Sequence, residues 1–494
     1  MEQPAYEQLT VLQLRRIARE NHVKLPAGVN KADIISRLSG AASLAPPPEE
    51  PKILSSPLPQ RRAEFIPRPR RPSGYYNEEY GTSNPAVPEM LAAGVCGDGG
   101  GVLELQSDGY GFLRAENCSP GHDDVYVSIA QIRRFSMKNG DLVEGKTRPR
   151  REGDRYSALM YVERINGAPP AEAEKRRAFD SLTPIHPNRR LTLEDPTGAC
   201  SDLAIRMLDF IAPIGLGQRA LIVAPPKAGK TILLKKIAQA IMRNDPGAHL
   251  MLLLIDERPE EVTDIRRSVP AEVVHSTFDA PPENHIRVSE LVYERAQRLV
   301  EQGRDVVVLM DSLTRLSRAY NAAAPQSGRA LSGGLAPGVL QKPKRFFGAA
   351  RNLEEGGSLT IIATVLVETG SRMDEIIFEE FKGTGNAEIQ LDRSLSEKRV
   401  FPAIDLARSG TRREELLLTG EELEGVRSVR KVLSSSTMAD ATEQLMGMLV
   451  KTRTNRDFFA RLREWVGLWE KEGYTLASRG DMGEKGVYAR KKTR

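Results

Sequence analysis

The sequence predicts a multidomain chain: a small α-helical unit, then a compact β-barrel, then a large α/β domain with a mostly parallel sheet. Three observations carry this. Apolar runs at 220–224, 250–255, 305–310 and 359–367 alternate with helical segments, as strands buried on both faces of a parallel sheet do. From Gly101 onward, five short β-rich segments are divided by turn residues, which suits a small barrel. Residues 43–98 are rich in proline and poor in periodic apolar positions. Such a stretch buries too little to offset the entropy of ordering it and reads as a disordered linker.

In order along the chain, residues 1–42 form the helical unit. Thr10 and Gln13 fit a capping box, and Val11, Leu14, Ile17 and Ala18 then share one face. Asn30 can cap a second helix carrying Ile34, Ile35 and Leu38, with Gly40 as its stop. Nothing there suggests chemistry, and a docking or stabilising role is expected. The linker holds Arg61, Arg62, Arg68, Arg70 and Arg71, read as solvated charges able to meet phosphates. The barrel spans 99–168 with "GVLEL", "GYGFLR", "DVYVSI", "GDLVEGKTR" and "YSALMYVERI" as strands. A connector covers 169–190, the α/β domain 191–471, and a Gly- and Lys-rich tail 472–494 is expected to be flexible.

Composition limits the partners. The 494 residues carry a formal charge of +5, mildly basic and compatible with nucleic acid without requiring it. Cys96, Cys118 and Cys200 lack metal-ligand spacing and suit free thiols in a reducing compartment. The N-terminus has no apolar signal core, and stretches such as "LTIIATVLV" are too short to span a bilayer. A cytoplasmic protein with no membrane partner is expected.

The stretch "APPKAGKT" lies where the first of the apolar strands gives way to a helix. A strand that ends in a Gly-containing loop and opens a helix presents unpaired N–H groups, which bind anions with the helix dipole. Gly229 lets the backbone approach a phosphate, Lys230 would reach the β- and γ-phosphates, and Thr231 would give its hydroxyl to Mg²⁺. Ala224 stands where such loops usually begin with Gly, and a basic surface turn is the plainer alternative. Two further strands end in acids: "MLLLIDERPEE" in Asp256 and Glu257, "DVVVLMDSLTRL" in Asp311. Ligands bind outside the carboxyl ends of parallel strands, so loop and acids should converge. Asp311 fits a Mg²⁺-linked carboxylate, and Asp256 or Glu257 a base for the attacking water. Each acid alone would equally serve as a helix cap.

In "DGYGFLR", Tyr110 and Phe112 lie two apart and share a strand face, and Tyr126 falls on another strand. Arg114, Lys146 and Arg148 bring positive charge. Exposed aromatics beside basic residues stack single-stranded bases. The same rings could equally fill the barrel interior.

The segments "DGYGFLR", "VAPPKAGKT", "LLIDERPEEV", "DSLTRLSRAYN", "PKRFFGAARN", "GGSLTIIATVLVETGSRMDE", "FKGTGN" and "EKRVFPAIDLARSGTRREELL" stand in one order between 101 and 465. In that order they resemble the bacterial Rho transcription termination factors. The resemblance implies an OB-fold (cold-shock-like) barrel and a RecA-like P-loop ATPase domain. It implies an RNA-dependent ATPase with ATP and Mg²⁺, a 5′-to-3′ RNA translocase and helicase acting as a homohexameric ring on nascent, C-rich single-stranded RNA. RNA polymerase and a NusG-type factor are implied partners.

The resemblance also distributes roles. Tyr110, Phe112, Arg114, Tyr126 and Tyr156 fall in the primary RNA site. Pro226, Lys227, Ala228, Gly229, Lys230, Thr231, Ile232, Arg258 and Phe401 fall at the nucleotide, with Phe401 on the adenine, and Thr231 and Asp311 hold Mg²⁺. Glu257 rather than Asp256 activates water, and Ala224 at the loop start is usual for the family. Arg412, with Arg399, is expected to reach a neighbouring subunit's ATP. Two central loops, "SGRALSGG" and "ETGSRMDE", bring Arg329, Ser332, Gly333, Gly370 and Arg372 to the secondary RNA site. Arg329 and Arg372 stand where many relatives carry Lys, keeping the charge. The rivals are a rotary ATP synthase subunit, a non-catalytic RNA scaffold and a recombinase-like filament.

Overall fold

The computed structural model describes residues 93–115, 117–150, 153–200, 202–325, 332–433, 437–471, 474–476 and 488–490, with Ala18 and Lys31. The chain divides into 1–71 and 72–494. Of the first unit only Ala18, helical and buried, and Lys31, helical, are described, so most of the expected helical unit and the linker to residue 92 lie outside the described residues.

In the second unit, strands β1 (Gly97–Leu105), β2 (Gly111–Arg114), β3 (Val125–Val127), β4 (Leu142–Arg148) and β5 (Ser157–Ile165) close a barrel in the order β1-β2-β3-β5-β4. Helix α1 (Ile129–Arg134) plugs it, capped by Ser128 in a capping box with Gln131. Alternation sorts the side chains. Leu103, Leu113, Val125, Val127, Val143, Leu159, Val162 and Ile165 fill the interior with Ile132, Phe135 and Met137. The barrel begins at Gly97 rather than 99, because the backbone from Gly97 to Gly100 already pairs with β4.

The expected connector is partly built. It holds α2 (Pro170–Ala173), a 3₁₀ turn at Phe179–Ser181 and β6 (Pro184–Ile185). The large domain then runs α3 (Leu203–Ile211), β7 (Arg219–Ala224), α4 (Lys230–Asn244), β8 (His249–Glu257), α5 (Pro259–Ser268), β9 (Glu272–Thr277), α6 (Pro282–Val300) and β10 (Asp305–Asp311). Next come α7 (Leu313–Ala322), α8 (Gln341–Gly348), β11 (Arg351–Leu353), β12 (Ser358–Leu366), α9 (Arg372–Lys382), β13 (Ala387–Gln390), α10 (Arg393–Glu397) and β14 (Gly410–Thr411). Helices α11 (Gly420–Leu433), α12 (Met438–Leu449) and α13 (Asn455–Lys471) close the domain.

The sheet order is β14-β13-β7-β12-β10-β8-β9, parallel from β13 to β9, with β6 and β11 attached beside β12. Successive residues of β7 point to opposite faces. Ala220, Ile222 and Ala224 pack under α3, α4 and α11–α13, while Leu221 and Val223 pack under α6–α9. The four expected strands are β7, β8, β10 and β12. Short β9 and β13 were not foreseen, because six and four residues without a long apolar run leave little periodic signal. The tail expected to be loose carries β15 (Tyr474–Leu476) and β16 (Tyr488–Arg490), paired antiparallel.

The barrel is tied to the α/β domain by polar contacts. Asn117 Nδ2 donates to His275 O (2.8 Å) and Asn117 Oδ1 accepts from His275 N (2.7 Å), so a barrel loop completes the free edge of β9. Arg176 of the connector grips Asp141 with both ends of its guanidinium, and Lys138 pairs with Glu301, the C-cap of α6 (3.1 Å).

Candidate nucleotide site and nucleic-acid interface

Strand β7 delivers Pro225–Gly229 to the carboxyl edge of the sheet, where Lys227 (φ 67°) and Gly229 (φ 89°) are left-handed. A side chain at Gly229 would be strained there. Gly229 is also the N-cap of α4 and has no side-chain cap, so the first amides of α4 face the loop. Ala228 is buried and anchors the loop, while Pro226, Lys227 and Ile232 are exposed.

Two carboxylates converge on Lys230. Its Nζ lies 2.5 Å from Asp311 Oδ1, which also accepts from Thr364 Oγ1 (2.8 Å). Asp311 Oδ2 and Glu257 Oε2 are buried without a hydrogen-bond partner. Burial pushes the Glu257 carboxyl up to about 7; the Asp311 carboxylate adds to the rise, and Lys230 opposes it. Asp256 is tied up, with Oδ2 2.5 Å from Arg315 Nη1. Geometry thus separates the two neighbours: Arg315 occupies Asp256, while Glu257 shares a hydrogen bond with Glu261 and keeps one buried oxygen without a partner. Thr231 Oγ1 donates to Glu261 Oε2 (3.4 Å), and Arg258 lies 3.7 Å from Glu261 Oε1. Glu261 was passed over in the sequence, although it stands in the quoted "RPEE".

Beside the loop opens a cavity of about 380 Å³ between Phe401, Gly229, Ile232 and the start of α3. Phe401 is 48% exposed, and its ring lies beside Gly229, with Cε1 3.9 Å from where a Cβ on that glycine would stand. Lys236 pairs with Asp202 (2.7 Å) on the far wall. Arg399 is exposed, two residues from Phe401, on the same edge as its own chain's loop. Arg412 is elsewhere. Its neighbour Thr411 pairs with Ala387 at the start of β13, the sheet end opposite the loop. Arg412 is exposed, and no carboxylate of the described residues pairs with it.

On the barrel, Phe112 pairs across the ladder with Tyr126, while their neighbours Leu113, Val125 and Val127 point inward. The rings are therefore on the outer face, which decides the question the sequence left open. Tyr110, Tyr126 and Tyr156 surround Phe112, with ring centroids 5.7, 6.2 and 4.8 Å away, and Tyr126 is 37% exposed. Arg114 needs correction as an RNA contact. It is buried, 2.5 Å from Glu104 and paired with Asp124, and its guanidinium carbon lies 5.0 Å from the Phe112 centroid. Its charge is spent inside the protein. Lys146 pairs with Asp98, and Arg148 with Asp154 (2.8 Å). Lys146 and Arg148 are thus balanced locally.

Of the two expected central loops, Arg329 lies outside the described residues. Ser332–Gly334 forms a 3₁₀ turn, and a Cβ on Gly333 (φ 75°) would come 2.5 Å from Ile376 Cδ1 and 3.4 Å from Arg372 O. The two segments are therefore in contact. Gly370 (φ 75°) turns the chain into α9, where exposed Arg372 is the first residue. Buried Asp374, unforeseen, holds this loop by accepting from Thr369 Oγ1 (2.6 Å) and Arg318 (2.6 and 2.8 Å).

Known proteins agree with both halves. The family described as Rho termination factor, RNA-binding domain, matches residues 99–171, which takes in all but the first two residues of the barrel. The nucleotide-binding domain of the ATP synthase alpha/beta family matches 204–411. Transcription termination factor Rho of Bacillus subtilis (strain 168) is 59% identical over 367 residues, 74% of this chain and 85% of that one. This chain belongs to the Rho transcription termination factor family. The Rho proteins of Pseudomonas aeruginosa and Escherichia coli (strain K12) are 57% and 56% identical, each over 74% of this chain and 88% of theirs. The Rho barrel is the part a rotary ATP synthase subunit leaves unexplained.

Proposed function

We propose that this chain is an RNA-dependent ATPase that translocates 5′ to 3′ on nascent single-stranded RNA, unwinds it and terminates transcription as a homohexameric ring. One observation carries the reading. A barrel with an outward cluster of four aromatic rings is built into the same unit as a phosphate loop beside two buried, unpartnered carboxylate oxygens.

ATP sits with its phosphates on Pro226–Thr231, its adenine on Phe401 and Lys230 on the outer phosphates. Arg258 lies at the γ-phosphate side. Thr231 Oγ1 and Asp311, whose free Oδ2 suits a water-mediated contact, are the residues that would hold Mg²⁺. The ion would neutralise charge on the phosphates. Glu257, with one unpartnered oxygen and a carboxyl raised to about 7, takes a proton from the attacking water. Arg412 is displaced from its own chain's loop and serves the ATP of a neighbouring subunit. Arg399, exposed, is proposed to join Arg412 at that boundary from the neighbouring subunit.

RNA stacks on Tyr110, Phe112, Tyr126 and Tyr156, then passes Arg329, Ser332, Gly333, Gly370 and Arg372 at the ring centre. Cytosine-rich RNA, RNA polymerase and a NusG-type factor are the proposed partners, and the cytoplasm the site of action. No helix among the described residues is long and apolar enough to cross a membrane. The test is ATP hydrolysis with Mg²⁺, with and without a cytosine-rich RNA. Strong stimulation, lost in Lys230→Ala, is expected; equal rates with and without RNA would refute the motor.

A further inference from the structure

The barrel face that carries the aromatic rings continues into the face docked on the α/β domain. Glu104 is directly opposite Phe112 in the ladder, so Glu104, Phe112 and Arg114 share one face. Arg114 lies against the Phe112 ring and binds Glu104. Across the junction, Arg287 on α6 reaches the same carboxylate, with Nη1 3.4 Å from Glu104 Oε2. Arg287 also donates to Cys118 O in the barrel (2.7 Å) and to Asn284 Oδ1 one helical turn back (3.1 Å). Asn284 Nδ2 donates to Ser276 Oγ (2.9 Å), which is also 2.7 Å from His285 Nδ1. Ser276 sits at the end of β9, opposite Ile255 of β8, and Phe278 N donates to Glu257 O (3.3 Å).

We propose that Arg287 is a positioning residue that joins the RNA face of the barrel to the strand end carrying Glu257, through Arg114, Glu104, Asn284 and Ser276. The proposal rests on the functional reading above. A base stacking on Phe112 meets a ring already backed by Arg114. Any shift of that guanidinium changes its grip on Glu104, for which Arg287 is the other claimant. Such networks have discrete arrangements, because the part-buried Glu104 carboxylate is shared by two guanidinium groups and a closer hold by one loosens the other. At its far end the chain of contacts fixes the main chain that aims Glu257. Arg287 touches neither RNA nor ATP in this scheme and acts only through others.

The test is Arg287→Gln in the full-length protein, with three readouts. These are binding of a short cytosine oligonucleotide, ATP hydrolysis without RNA, and stimulation of hydrolysis by a long cytosine-rich RNA. The first two should stay within about twofold, and stimulation should fall about fivefold or more. Glu104→Gln should give the same loss, and the double variant little beyond either single one. Unchanged stimulation overturns the proposal. A fall that merely follows weaker oligonucleotide binding also overturns it, since Arg287 would then only hold the barrel in place. If Arg287→Gln does not assemble, Asn284→Ala cuts the next link and is judged by the same criteria. A wild-type protein without RNA stimulation would refute the functional reading and not this link.

Discussion

Lys230 Nζ lies 2.5 Å from Asp311 Oδ1, joining the phosphate loop to a strand end 81 residues later in the chain. The contact exists because β7 and β10 both abut β12 in a parallel sheet and so end at one edge. It leaves Asp311 one buried oxygen without a partner. Lys230→Ala should remove the cation facing the phosphates and leave Asp311 unpaired. ATP binding measured by a fluorescent analogue, and hydrolysis with it, should be lost, while oligonucleotide binding to the barrel persists.

Glu257 gives a pH dependence of definite sign. Burial raises its carboxyl to about 7, and a base works only when ionised. The kcat/KM for ATP should therefore climb as pH rises from 6 and level off above about 7.5, roughly half a unit past that value. Glu257→Gln should lose roughly 10²–10⁴ in rate and flatten this limb. A pH–rate profile of both proteins checks it.

Arg412→Ala should keep ATP binding and lose about 10³–10⁵ in turnover, the worth of an arginine supplied in trans. Mixed rings discriminate cis from trans. Combining Arg412→Ala with Glu257→Gln subunits should restore activity above either alone, since some boundaries then hold both intact groups. No recovery on mixing would mean that Arg412 serves its own subunit's ATP and would refute the trans assignment.

Phe112 is half-buried on the outer face of the barrel, so its loss should spare the core. Phe112→Ala should weaken oligonucleotide binding by about 1–3 kcal/mol for the base it stacks. Hydrolysis without RNA should not change. Titration by fluorescence anisotropy measures the first, and a phosphate-release assay the second.

Arg206, on α3 beside the nucleotide cavity, is fully buried. It donates to the carbonyls of Leu449, Thr452 and Thr454 at the turn from α12 to α13, and ion-pairs with Glu194 (3.3 Å). Arg206→Ala removes the donor to these carbonyls and the ion pair to Glu194. A loss of about 3–5 kcal/mol is expected, read from chemical denaturation.

Much of this was legible in the sequence because it is written in local chemistry. The loop "APPKAGKT" announces itself by a buried run, a glycine and Lys-Thr, and β7 and α4 lie where that pattern puts them. Phe112 and Tyr126 were legible as residue types, but their side of the barrel was not. A period of two says that Phe112 and Leu113 face opposite ways without saying which way is in. Arg114 misled for the same reason. A basic residue beside aromatics reads as an RNA contact until the structure shows Glu104 and Asp124 around it. Glu261, Asp374 and Arg287 gave no signal, since their partners lie on other elements.

The sequence by itself determined the barrel, the parallel sheet, the phosphate loop and which strands end in acids, because each depends on neighbours a few residues apart. The tertiary structure alone decided that Glu257 keeps an unpartnered oxygen while Arg315 occupies Asp256, that Arg114 is internal, and that Arg412 sits away from its own loop. Those outcomes turn on which charge meets which across separate elements, 10 residues apart for Arg114 and Glu104 and 59 for Arg315 and Asp256, and burial and pairing exist only once the chain has folded.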